Sequence, residues 1–240
     1  MGKSYRIGIC AYNVTYYLLV EYPNGPEGIL FTYHNNGHTY STKLTRATAT
    51  KDGKIVKTCT VCKKAVTQVI YKASNIKLST VNYTYDGKVK TPSVTVKDSK
   101  GKTLKKNTDY TVSYSKGRKS IGKYAVTIKF KGNYSGTKTL YFNINPKGTK
   151  LSSVKAGKKQ VTVKWKTQKT QTNGYQVQYS TSKNFKSAKT VTVNSNKSAS
   201  TTIKKLKGGK KYYFRVRTFK KVGKAKFYSA WSNSKNAKAK

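Results

Sequence analysis

Residues 206–219 read LKGGKKYYFRVRTF, and from Tyr212 onward the side chains alternate in character. Tyr212, Phe214 and Val216 share one parity, while Tyr213, Arg215 and Arg217 share the other. A period of two is the signature of a half-buried strand, because successive side chains leave opposite faces. The pattern predicts Phe214 and Val216 turned inward, with Arg215 and Arg217 outward. Upstream, KQVTVKW (159–165) puts Val161, Val163 and Trp165 on one face. GYQVQYS (174–180) does the same with Tyr175, Val177 and Tyr179.

The same rhythm runs upstream through NYTYDG (82–87), PSVTVKD (92–98), DYTVSYS (109–115), KYAVTIKF (123–130) and TKTLYFNI (137–144). Turn-like breaks such as Ser99-Lys100-Gly101-Lys102 and Gly132-Asn133 separate these runs. Short strands at regular spacing, with no helical-period stretch, predict an all-β chain of β-sandwiches in tandem. The 240 residues leave room for two or three small domains. Apolar residues make up only 35%, and the 20 tyrosines compensate in part with large rings whose hydroxyls stay wet.

Three family resemblances follow from particular residues. Over residues 147–240, the strands above and YSAWS (228–232) resemble a fibronectin type III domain. Leu206 and Gly209 precede Tyr212 at the spacing of that fold's tyrosine corner, in which a Tyr hydroxyl ties a loop to the backbone. Gly208 stands where a proline is common. Over residues 73–146, Tyr85-Asp86-Gly87, Asp109-Tyr110-Thr111-Val112 and Gly132-Asn133-Tyr134-Ser135-Gly136 resemble a bacterial Ig-like repeat. Residues 34–72 resemble a small repeat of Gram-positive surface proteins through His38-Thr39-Tyr40, Ala47-Thr48-Ala49, Asp52-Gly53 and Cys59-Thr60-Val61-Cys62. There Ala49 replaces a cysteine usual in the repeat. Asp52-Gly53 reads as a hairpin turn. Residues 1–33 are left unassigned, with PNGPEG (23–28) an evident turn.

Charge bounds the partners. Lys and Arg number 51 against 6 acids, a net +45, and only five of the cations are arginine. Residues 148–240 hold twenty-five of the cations and no acid. Such a surface attracts polyanions and releases them as salt rises. Anionic cell-wall polymers such as teichoic acids, polysaccharide, host extracellular proteins or glycans, and nucleic acid as a non-specific polyanion all qualify. In VTVKWK and YAVTIKFK the lysines alternate with apolar residues, which predicts a diffuse solvent-side coat instead of one groove.

His34-x-x-x-His38 and Cys59-x-x-Cys62 together offer four nitrogen and sulfur ligands, the number a tetrahedral structural zinc takes. A small module of this size benefits from such a staple. A Cys59–Cys62 disulfide or a pair of reduced thiols are the alternatives. A thioredoxin-like site would place its cysteines at a helix start, and no helix is predicted here. Cys10 reads as a small buried hydrophobe.

No catalytic constellation is expected. Asp52 and Asp86 precede glycines and Asp98 opens a turn, so these acids read as turn formers. Tyr16 to Val20, the longest apolar run near the start, is too short to span a bilayer, and no secretion signal is evident. The whole reads as a non-enzymatic surface or secreted segment that spaces and adheres. A non-specific nucleic-acid-binding protein and an accessory region of a polysaccharide-active enzyme are the alternatives.

Overall fold

The computed structural model describes residues 21–22, 25–26, 39–60 and 62–240, and among these the regular structure is β throughout with no α-helix. His34, His38 and Cys10 lie outside the described residues. No helix among them is long and apolar enough to cross a membrane. The chain gathers into two compact units, one of residues 1–75, 96–111 and 130–136 and one of residues 76–95, 112–129 and 137–240.

Near the N-terminus the two-residue strands β1 (Glu21–Tyr22) and β2 (Gly25–Pro26) pair antiparallel. Next comes a three-stranded meander of β3 (Tyr40–Thr45), β4 (Gly53–Cys59) and β5 (Ala65–Ile70), in that order. The expected Asp52-Gly53 turn takes a different form. Arg46–Asp52 make up the loop, and Gly53 already pairs within β4, opposite Ile70. Thr48 organises this loop, its Oγ1 accepting the amides of Thr50 (3.1 Å) and Lys51 (2.9 Å). A Cβ on Gly53 would sit 2.3 Å from the Thr45 carbonyl oxygen, so only glycine fits.

Within the same unit, the GNYSG segment closes over this loop. Ala47, fully buried, donates its amide to Asn133 O (3.0 Å) and accepts from Ser135 N–H (2.8 Å). Arg46 Nε adds a bond to Gly132 O at 2.9 Å. The glycines suit this role, since Gly132 and Gly136 both hold a positive φ that other residues rarely adopt.

The middle strands are β6 (Ala73–Leu78), β7 (Asn82–Thr84), β8 (Val94–Asp98), β9 (Tyr110–Tyr114), β10 (Gly122–Phe130) and β11 (Thr137–Asn145). They form a four-stranded sheet, β7-β11-β10-β9, and a two-stranded pair, β6-β8. Inward-facing Val126 and Ile128 of β10 and Phe142 and Ile144 of β11 are buried, as the alternation predicts.

The remaining strands are β12 (Leu151–Gly157), β13 (Gln160–Trp165), β14 (Gly174–Ser180), β15 (Lys189–Val193), β16 (Ser200–Lys204), β17 (Lys211–Val222), β18 (Ala225–Tyr228) and β19 (Lys235–Lys238). One sheet runs β12-β13-β16; the other runs β15-β14-β17-β18, with β19 also paired to β17. Between the sheets lie Val161, Val163, Trp165, Tyr175, Val177, Phe214 and Val216, all at most 2% exposed. These are the residues that period-two burial selects, joined by Leu151, Ile203, Leu206 and Tyr212. Burying side chains of this size stabilises by roughly 1.5–3 kcal/mol each.

Candidate functional site

Two features of residues 147–240 bear on function, and both grow out of β17. On its outward face Arg215 and Arg217 alternate with the buried Phe214 and Val216, as predicted. Pairing with β14 sets Arg215 opposite Gln178 and Arg217 opposite Gln176. Arg215 Nε donates to Gln178 Oε1 (2.7 Å), and Arg217 donates to Gln176 Oε1 from Nε (3.0 Å) and Nη2 (2.7 Å).

The YSAWS segment completes the arrangement. Ser229 Oγ accepts the amide of Thr218 (3.1 Å) and Ser232 Oγ accepts that of Val216 (3.0 Å), which fastens the segment along β17. Trp231, between the two serines, is thereby laid over both arginines. Its ring centroid lies 4.8 Å from Arg215 Cζ and 4.3 Å from Arg217 Cζ. Tyr228 covers Arg217 at 3.9 Å, and Phe185 covers Arg215 at 4.0 Å. The stack therefore runs Tyr228, Arg217, Trp231, Arg215, Phe185. Desolvation under these rings lowers both guanidinium pKa values from their ordinary range, with the neighbouring cation a further cause at Arg217. Both arginines are half-buried, flanked by rings and bonded to the glutamines of β14, so the outward arginines serve the domain's own surface.

The tyrosine corner forms as expected. Lys207 N–H donates to Tyr212 Oη at 3.0 Å, with Leu206 buried beside it and Gly209 at φ +72°. That corner brings the second feature into being. The loop before β17 and the loop between β14 and β15 together border a cleft of about 510 Å³. Lys186, Lys189, Lys205, Lys207 and Lys210 line it, over Tyr179 and Tyr212. Here the diffuse-coat expectation needs correction. Lysines on the strands do alternate outward, but loop lysines from two distant stretches converge on one cleft beside aromatic rings. Alternation describes strands only, so it carries no signal for loop residues.

Elsewhere tyrosines are met by cations: Lys123 lies 4.3 Å from the Tyr141 ring, Arg118 5.0 Å from Tyr114 and Lys211 5.5 Å from Tyr213. Asp86 and Asp98 act as turn formers, as read from the sequence, whereas Asp52 instead ties down a backbone amide twenty positions along the chain. Asp98 Oδ1 accepts the amides of Lys100 (2.9 Å) and Lys102 (3.0 Å), and Asp109 Oδ2 accepts that of Lys105 (2.7 Å). Asp52 Oδ1 accepts from Lys72 N–H at 2.7 Å. Asp86 takes the Lys88 amide and the Lys90 ammonium, and the Lys90 bond chiefly holds its pKa below the usual carboxylate range.

Of the proposed zinc ligands, Cys59 is buried at the end of β4, and its Sγ accepts the Cys62 amide at 3.4 Å. The Cys62 sulfur is engaged in a disulfide, so a zinc site using it requires that bridge to be reduced. Among the described residues no group of three or more His, Cys, Asp or Glu side chains comes together.

Residues 145–235 match the fibronectin type III domain family. No curated protein sequence matches the chain. Among solved structures, the FN1–FN3 domains of chicken CNTN1 are similar at 18% identity and a TM-score of 0.36, over 79% of this chain and 77% of that one. A beta-1,2-glucanase from Parabacteroides distasonis is similar at 20% identity and a TM-score of 0.33, over 48% of this chain and 18% of the enzyme. Likenesses this distant leave the fold to rest on the chain's own strands and on the family match.

Proposed function

We propose that this chain is a non-catalytic spacer and adhesion segment of a surface or secreted protein, held to anionic cell-wall or host polymers by its lysines. In this reading residues 34–72 are a small Cys/His module, 73–146 an Ig-like sandwich and 147–240 the fibronectin type III domain. The observation that carries it is the charge balance of residues 148–240, with twenty-five cations and no acidic side chain. Nothing in that stretch supplies a side-chain counter-charge, so its counter-ions come from outside. A polyanion that displaces many small ions gains their release entropy, and its affinity falls steeply with salt.

Nucleic acid meets the same field, but the arginines suited to forked recognition are few, and Arg215 and Arg217 are stacked within the domain. The test is retention on teichoic-acid-bearing cell walls and on duplex DNA across a salt series. Retention on walls that declines steeply with salt is expected. Retention on DNA alone at physiological salt overturns the proposal.

A further inference from the structure

We propose that the five-lysine cleft is a binding site for consecutive phosphate groups of a flexible polyol-phosphate chain. This rests on the reading above, that the domain holds anionic wall polymers, and assigns that role to one place. Five observations carry it.

Lys186, Lys189, Lys205, Lys207 and Lys210 are all exposed and all line the same concavity. Among the described residues none of their ammonium groups has a hydrogen-bond or ion-pair partner within the protein, so each is available to an incoming anion. Ser180, Leu206 and Tyr212, which also line it, are buried and uncharged, so no side chain there repels an incoming anion. Thr181 and Ser187 add hydroxyl donors at the rim. A cleft of about 510 Å³ is within the usual range for bound small groups, roughly 300–1,000 Å³.

The residue types choose among polyanions. Lysine ammonium is a compact, strongly hydrated point charge without a preferred planar partner. It suits tetrahedral phosphates that can turn to meet it. Stacking is the usual means of holding single-stranded bases, and it needs open aromatic faces. Both rings here pack into the domain: the half-buried Tyr179 stacks on Phe214 at 6.3 Å, and Tyr212 is buried 6.4 Å from Tyr179. A chain of phosphates linked by small polyols needs no ring to stack on. Two lining residues, Ser187 (φ 51°) and Lys205 (φ 59°), hold left-handed backbone, a conformation that persists where surrounding structure enforces it.

The experiment uses the full chain and immobilised poly(glycerol phosphate), with a single-stranded oligonucleotide of equal phosphate number in parallel. One variant carries Lys186→Gln, Lys189→Gln and Lys210→Gln. A second carries Lys164→Gln, Lys224→Gln and Lys235→Gln, exposed positions outside the cleft and the same loss of charge. All six side chains are exposed, so both variants are expected to unfold thermally as the parent does. The cleft variant should bind poly(glycerol phosphate) at least about tenfold more weakly, with the slope of log K against log salt reduced by about 2, at ~0.7 per lost contact. The second variant should lose far less. Equal losses in both variants overturn the cleft and leave the adhesion reading standing. Absence of binding by the parent protein overturns both. Tighter binding of the oligonucleotide at equal salt overturns the polyol-phosphate assignment.

Discussion

Replacing Arg217 with lysine keeps the charge and the aliphatic stem, so it isolates what the planar guanidinium contributes. In the parent domain that group lies between two rings, 3.9 Å from Tyr228 and 4.3 Å from Trp231, and sends two N–H groups to Gln176 Oε1. Two partly desolvated cation–π contacts are each worth about 0.5–1 kcal/mol. One hydrogen bond lost from the fork adds about 0.5–1.5 kcal/mol. A lysine ammonium keeps a fraction of each, which leaves an expected loss of about 2 kcal/mol. For a domain of this size 1 kcal/mol moves Tm by roughly 4–8 °C, so a fall of about 10 °C is expected. The assay is intrinsic fluorescence on heating, because both tryptophans of the chain, Trp165 and Trp231, lie in this domain. Combining the substitution with Trp231→Leu should be less than additive by about 0.5–1 kcal/mol, since the two share one contact. A Tm change below about 2 °C, or strict additivity, would show that the stack is geometrically present and energetically idle.

Two further outcomes follow from local geometry. Tyr212→Phe removes the acceptor for the Lys207 amide and should destabilise the same domain by about 1 kcal/mol; urea unfolding with an unchanged midpoint would contradict the tyrosine corner. Gly53→Ala forces a Cβ to within 2.3–2.6 Å of backbone atoms of Thr45, Arg46 and Ala47, a clash expected to cost more than about 2 kcal/mol. Hydrogen exchange should then show lost protection across β3 and β4, while residues 147–240 keep theirs; unaltered protection of the hairpin would refute the close approach.

The strands were legible because burial imposes a period. Val161, Val163, Trp165, Tyr175, Val177, Phe214 and Val216 were all marked for the interior by alternation alone, and each is at most 2% exposed. Loops have no such period. Asp52-Gly53 looked like a two-residue turn, whereas Thr48 capping and the approach of the Gly53 backbone to Thr45 set a longer loop. The GNYSG segment was recognisable as a turn, but its clasp on Ala47 joins residues far apart in sequence. The arginine–aromatic stack was half visible: alternation turned Arg215 and Arg217 outward, yet nothing local showed that the serines of YSAWS would lay Trp231 over them.

By itself, then, the order of residues determined an all-β chain, the inward faces of its strands, the turn-forming work of Asp86 and Asp98 and a surface dominated by cations. Each is a property of neighbours one or two positions apart, where sterics and burial act directly. Where those cations gather was decided by tertiary structure alone. Lys186 and Lys210 stand far apart along the chain, and only two sheets closing on a shared core bring their loops to one cleft. Electrostatic focusing depends on distances through space, which no local pattern encodes.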